Sequence, residues 1–148
     1  MMFFKIYNLI KPDKMSSVVD SKTITPMTIS NNLFMCGTEQ WAPKGVCYQP
    51  TDFVDPISDK ENLTTITNLL KTSTTFEFTN LKINAIRVYQ VDHKIGSHKK
   101  VMDALAANGI YVLVGAVNNV TTVFSSSADY YKRLEKIADE FCQYNNVL

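Results

Sequence analysis

The side chains here that could take part in chemistry fall into a few small groups. Asp92, His93, His98 and Asp103 lie close together in the chain and would make a metal site if all four converged. Nothing in their spacing requires that, so they are expected to be polar surface residues. Cys36, Cys47 and Cys142 are odd in number and match no zinc pattern, so at most one intramolecular disulfide is possible. The expectation is free thiols, buried or partly buried. As a nucleophile, Cys47 would need a histidine, but His93 and His98 follow a different strand, so it reads as a small buried residue. Gln49, Arg87 and Tyr89 sit near the ends of apolar runs. A glutamine amide can both donate to and accept from hydroxyls, and a tyrosine adds a flat ring and an O–H. From the residues alone the plainer readings come first: a strand-end polar group in water for Gln49, a structural ion pair for Arg87, a core-edge aromatic for Tyr89. No metal or cofactor is expected. His98-Lys99-Lys100 reads as a solvated face rather than a phosphate site, and Trp41, in a turn, as a cover for a barrel floor. Asn62-Leu63-Thr64 and Asn119-Val120-Thr121 are N-glycosylation acceptors if the chain is secreted.

The elements that must position these groups belong to an ordinary globular composition. The chain has 148 residues, 45% hydrophobic and 20% charged, with a formal net charge of +1, which suits one domain and gives no field to attract nucleic acid or an anionic membrane. No stretch is long and apolar enough to span a bilayer. Lys5 and Asn8 interrupt the apolar start, Lys11-Pro12-Asp13-Lys14 follows, and no small-residue cleavage site is seen, so residues 1–23 read as a tail with a poor signal-like segment. Residues 24–148 read as the folded part.

Within that part, Met27-Thr28-Ile29 and Leu33-Phe34-Met35 flank an Asn31-Asn32 turn, and Cys36 to Glu39 forms another turn. Lys44 to Pro50 is a short buried strand. A helix over 60–71, capped by Ser58 or Asp59, faces inward with Leu63, Ile66, Leu69 and Leu70. Thr72 to Asn80 is an inserted loop. Ile83 to Val91 is a strand covered on both faces. Ser97 caps a helix through Ala107, with Val101, Ala104 and Leu105 inward and Asn108-Gly109 as a left-handed C-cap. Ile110 to Val114 is a third buried strand, and Gly115 to Ser127 a loop. The last helix, Ala128 to Tyr144, carries a stripe of Tyr131, Leu134, Ile137, Ala138 and Phe141. The last residues, 145–148, make a turn and the first step of a further strand. Strand–helix alternation implies parallel strands, either in an open doubly wound sheet or at the start of an eight-fold barrel. The first turn, Gln49-Pro50-Thr51-Asp52-Phe53, has no glycine for a phosphate, which disfavours the nucleotide-binding open sheet.

Several segments, in order, resemble the fungal β-1,3-glucanosyltransferases of glycoside hydrolase family 72, the glycolipid-anchored surface proteins. Lys44-Gly45-Val46-Cys47-Tyr48-Gln49 is similar to the K-G-V-A-Y-Q of the family's first barrel strand, and Asp55-Pro56-Ile57-Ser58-Asp59 to its D-P-L-A-D loop. Asn84-Ala85-Ile86-Arg87-Val88-Tyr89 is similar to N-T-I-R-V-Y. Met102-Asp103-Ala104-Leu105, Gly109-Ile110-Tyr111-Val112 and Tyr144-Asn145-Asn146-Val147-Leu148 are similar to M-K-A-L, G-I-Y-V and Y-D-N-V-L. The resemblance implies an α/β fold that is the N-terminal portion, about three βα units, of a (β/α)8 TIM barrel. It implies β-1,3-glucan as partner and a place at the cell surface, in the wall or on the outer face of the plasma membrane. Gln49 and Tyr89 take the places of sugar contacts, and Arg87 that of an arginine orienting the nucleophile carboxylate.

Retaining transfer needs two carboxylates about 5 Å apart. In the family they follow strands four and seven, and neither is among these residues, so no catalytic residue is assigned and this chain alone is expected to be inactive. Gly115 stands where the family has an acidic sugar contact. Leu63 and Val101 stand where it pairs two cysteines. The reading is therefore a truncated or divergent glucanosyltransferase. The alternatives are a non-catalytic glucan- or protein-binding module and, last, a chain completed by another that supplies the remaining strands.

Overall fold

The computed structural model describes residues 24–50, 55–71, 81–92, 94, 96–115 and 127–148. The Thr72–Asn80 insertion, His93, Asn119 and the residues 1–23 lie outside them. The chain first forms an antiparallel sheet of β1 (Met27–Ser30), β2 (Leu33–Cys36) and β3 (Glu39–Gln40). Asn31 and Asn32 turn β1 into β2, with φ of 50° and 65°. Two consecutive positive φ values are what a tight two-residue hairpin needs, and asparagine tolerates them better than most residues. Gly37 and Thr38 make the turn expected over Cys36 to Glu39, with Gly37 at φ of 63°, and β3, which follows it, is too short at two residues to leave a periodic signal.

The second sheet is parallel: β4 (Gly45–Cys47), β5 (Ala85–Val88) and β6 (Tyr111–Val114), in that order. Gly45 pairs with Ala85 and Ala85 with Tyr111, so the three strands start level. Val147 adds a parallel bridge to Val112 on the far side of β6. Each strand thus lies beside its predecessor, without the reversal of order that marks a doubly wound sheet. The fold is α/β with a parallel sheet, consistent with part of a barrel. β4 and β5 are shorter than the apolar runs that predicted them.

Helices α1 (Asp59–Lys71), α2 (Lys99–Ala107) and α3 (Ser127–Phe141) follow the parallel strands in turn. Their apolar faces meet the sheet residues Ile86, Val88, Val112 and Val114 in one core with Ile66, Leu70, Val101, Met102, Leu105, Ile137 and Phe141. Leu63 packs against this core and Val101 is fully buried inside it. α2 ends as the sequence suggests. Gly109 has φ of 72°, its N–H reaches Ala106 O at 3.0 Å, and Ile110 N reaches Leu105 O at 3.0 Å, which is the Schellman pattern. Its start differs: Ser97 Oγ accepts from Lys99 N at 3.0 Å, and Asp59 Oδ1 accepts from Val101 N at 2.9 Å. The carboxylate expected to cap α1 thus caps the neighbouring helix instead. α3 stops at Phe141, and Tyr131, placed on its inner stripe by spacing, is 58% exposed. It lies a turn before the part of α3 that meets the sheet, and its ring leans on Tyr130 with centroids 5.6 Å apart.

Two polar ties hold the amino ends of the strands. Asn84 accepts from Lys44 N at 2.6 Å and donates to Ala42 O at 2.9 Å. Asn146, 2% exposed, donates to Met102 O at 3.1 Å and Ile110 O at 3.2 Å. Trp41 packs edge-on against Tyr111 at 5.2 Å and against Phe34 at 6.0 Å, and the Tyr111 hydroxyl donates to Thr25 O. The hairpin sheet therefore covers the amino end of β6. Truncating Asn146 to alanine removes the side-chain donor from the Met102 and Ile110 carbonyls, and chemical denaturation should read a loss of about 1–3 kcal/mol.

Candidate site at the carboxyl ends of the parallel strands

Side chains alternate across a strand, so one face of the parallel sheet goes to the helices and the other carries Cys47, Arg87, Tyr89 and Leu113. No described helix covers that second face. Tyr89 is 39% exposed and Leu113 38%, which corrects the expectation that these runs are buried on both sides. Cys47, expected to be buried, is exposed there, and Cys142 is exposed too, while Cys36 is half-buried beside the Tyr111 hydroxyl. All three are free thiols.

The three residues singled out from the sequence come together. Gln49 Oε1 accepts from Tyr89 N at 3.2 Å, tying the exits of β4 and β5. The Tyr89 hydroxyl donates to Cys47 Sγ at 3.2 Å, and the Arg87 guanidinium lies 4.8 Å from the Tyr89 ring centroid. The bond to Cys47 raises the Tyr89 phenol above its ordinary range, against the opposing pull of Arg87. Arg87 is thus stacked on an aromatic ring at the solvent side of the sheet.

Gly115, at the exit of β6, donates to Val88 O at 2.8 Å. A Cβ at this position would stand 2.3 Å from Tyr89 O and 2.5 Å from Val88 O. The backbone approach itself therefore excludes a side chain, acidic or otherwise.

Beside these exits lies a buried ionic cluster that sequence reasoning missed. His98, expected on a solvated face, is fully buried. Its Nε2 meets Asp55 Oδ2 at 2.7 Å and its Nδ1 meets Glu140. Asp55 is fully buried as well, and it also accepts from Asp92 N at 2.7 Å and Ile57 N at 3.1 Å. Burial alone would push the His98 imidazole down, but its hydrogen bonds to Asp55 and Glu140 and their charges outweigh that, and the net displacement is upward. Asp103 pairs instead with Lys99 at 2.6 Å, so it does not join His98 and Asp92. Among the described residues no cluster of histidine, cysteine and carboxylate groups is arranged to hold a metal ion. Asn62, proposed as a glycosylation acceptor, is fully buried and its Nδ2 donates to Asp55 O at 2.7 Å, so the folded chain offers no free amide there.

Polar and aromatic side chains gathered at the carboxyl ends of parallel strands form the layout by which barrel enzymes meet their substrates. The glucanosyltransferase family model matches residues 16–148. The 1,3-beta-glucanosyltransferase gel1 of Aspergillus fumigatus is 32% identical over 134 residues, covering 84% of this chain and 28% of the relative. The 1,3-beta-glucanosyltransferase GAS5 of Saccharomyces cerevisiae is 31% identical over 140 residues, covering 86% and 27%. A solved structure of Saccharomyces cerevisiae Gas2p in complex with laminaritriose and laminaritetraose superposes with a TM-score of 0.63 at 25% identity, over 84% of this chain and 29% of that one. The chain belongs to the glucanosyltransferase family, glycoside hydrolase 72. It spans less than a third of the length of these relatives.

Two outcomes follow from this geometry. The raised His98 value means its stabilising contribution is full below the unfolded value of about 6.5 while the carboxylates stay charged, and fades as pH rises through the folded value. Urea titrations of the parent chain and His98→Leu should therefore give a gap in unfolding free energy that is widest below about pH 6.5 and narrows above it. Gly115→Asp should lower the melting temperature and gain no glucan affinity, since its Cβ meets the Tyr89 carbonyl before the carboxylate reaches anything.

Proposed function

We propose that residues 24–148 are the glucan-facing opening portion, about three βα units, of a family 72 (β/α)8 barrel, with 1–23 as a preceding tail. The observation that carries the reading is the junction of Gln49 with Tyr89 at adjacent strand exits, at 3.2 Å with the Tyr89 ring open to solvent. That ring offers a flat apolar surface to a sugar, and the Gln49 amide and Arg87 offer donors to its hydroxyls. The ligands of Gas2p, laminaritriose and laminaritetraose, support β-1,3-glucan as the substrate class. The fungal relatives support a role in the cell wall or at the outer surface of the plasma membrane.

On the family pattern the two catalytic carboxylates belong to segments outside these 148 residues. Without a nucleophile and a proton donor there is no covalent route, so the 148-residue polypeptide binds glucan and does not transfer it. The exposed face of Cys47, Arg87, Tyr89 and Leu113 leaves these side chains open to a ligand.

The test is titration of the polypeptide with laminaritetraose by calorimetry or NMR, beside a chromatographic assay for lengthened oligosaccharides. Saturable binding without longer products is expected, with Tyr89→Ala weakening it about tenfold or more and Gln49→Ala somewhat less. Absence of binding, or Tyr89→Ala binding like the parent, overturns the assignment of the contacts. Longer products overturn the claim of binding alone.

A further inference from the structure

The Asp55 carboxylate joins the segment after β4 to the segment after β5 from a fully buried position. It accepts from Ile57 N in its own loop, from Asp92 N beyond β5, and from His98 Nε2 at the threshold of α2. The exits of β4 and β5 are linked a second time, at the surface, by Gln49 and Tyr89. We propose that Asp55 and His98 are a positioning pair for the two glucan contacts, holding Asp55 to Ile57, ahead of α1, and Asp92, three residues beyond Tyr89, at a fixed separation. This deepens the reading of Gln49 and Tyr89 as sugar contacts and rests on it.

The charge state follows from the partners. Each ring nitrogen of His98 faces a carboxylate, Nε2 that of Asp55 and Nδ1 that of Glu140. With both carboxylates ionised each can only accept, and in that state both nitrogens donate and the ring is an imidazolium, in line with the upward displacement of His98. The two carboxylates lie at opposite ends of the ring and share no point where an ion could sit. The cluster is a line: Glu140 on α3, then His98, then Asp55, then the N–H of Asp92.

The other charged groups nearby leave this line intact. On α1, Asp59 is turned to Val101 N, and on the loop after β5, Asp92 Oδ1 is turned to Lys94 N at 2.9 Å. Phe141 of α3 lays its ring against the imidazole at 4.8 Å, and Tyr144 beyond α3 is pushed up, largely by burial and then by Glu140. Lys94, Lys136 and Asp139 border an open hollow of about 600 Å³ on the solvent side of Glu140. When His98 gives up a proton it gives up the one on Nδ1. The Glu140 side chain is 20% exposed and can turn to water, whereas that of Asp55 is fully buried and cannot. The bond to Asp55 therefore outlasts the bond to α3, and the separation of the loops is kept over a wider pH range than the docking of Glu140.

The test uses the 148-residue chain with Asp55→Asn, His98→Gln and Glu140→Gln, read by imidazole 15N shifts, amide exchange protection and laminaritetraose titration. At pH 6 both His98 nitrogens of the parent should carry protons. Asp55→Asn should cut protection of the Ile57 and Asp92 amides about tenfold or more, while the Ile86 and Val112 amides change by less than about threefold. Glucan affinity should fall with it although Gln49 and Tyr89 are untouched. Glu140→Gln should lower the pH at which His98 titrates and leave the Ile57 and Asp92 amides protected. A neutral single tautomer at pH 6, equal loss of protection at all four amides, or no loss at Ile57 and Asp92 each overturns the proposal. Should Asp55→Asn fail to fold, His98→Gln must show the same selective loss, and an unchanged profile there is equally fatal. If protection behaves as expected but the parent binds no glucan, the positioning pair stands as a loop tie and the functional reading falls. If the parent binds and all three variants bind alike, the reverse holds.

Discussion

A carboxylate taken fully out of water has to be met by donors, and Asp55 is met by three drawn from separate stretches of chain. That requirement reaches through most of the fold. It ties Asp55 and Ile57, at the entry to α1, to Asp92 beyond β5. Through His98 and Glu140 it also draws α2 and α3 to the same point. The breaking of such a buried arrangement from one side typically costs about 3–5 kcal/mol, because the remaining charge is left unanswered. The chain ahead of Asp55 and of Asp92 carries the side chains that face outward at the strand exits, so an interior electrostatic demand sets the spacing of an exterior surface.

Close backbone approach is the second constraint, and it acts at both ends of the sheet. Gly45 would bring a Cβ within 2.6 Å of Ala85 O at the strand starts, and Gly115 would bring one within 2.3 Å of Tyr89 O at the exits. Between these two glycines the strands run level and side by side, with valine and isoleucine filling the helix side. The amino end is closed by aromatic packing of Trp41 on Tyr111 and by Asn84 and Asn146. The exit end is left to Gln49, Tyr89 and Arg87.

Much of this was legible in the chain. The apolar runs around Ile86 and Val112 mark strands, the spacing of Leu63, Ile66 and Leu70 marks one helix face, and Asn108-Gly109 marks a helix end. These are local signals, readable within one turn or one strand. The burial of His98 was not legible, because its partners stand 43 and 42 residues away and periodicity carries no information over that distance. Neither was the exposure of Cys47 and Tyr89, since an apolar run does not say whether one face or two will be covered. The meeting of Gln49 with Tyr89 came into view only through the family resemblance, and its geometry only through the parallel register.

The order of the sheet has a consequence for how the chain acquires its shape. Each parallel strand pairs with the one made just before it, and Val147 extends the series beside β6. A ribosome therefore delivers the pieces in the order in which they dock. No strand must wait beside an empty slot for a later one to arrive between it and its neighbour, so the growing edge is always the newest strand. Assembly in this sense is vectorial, strand after strand in the order of synthesis, although each pairing spans a whole helix of intervening chain, from 26 residues between Ala85 and Tyr111 to 40 between Gly45 and Ala85.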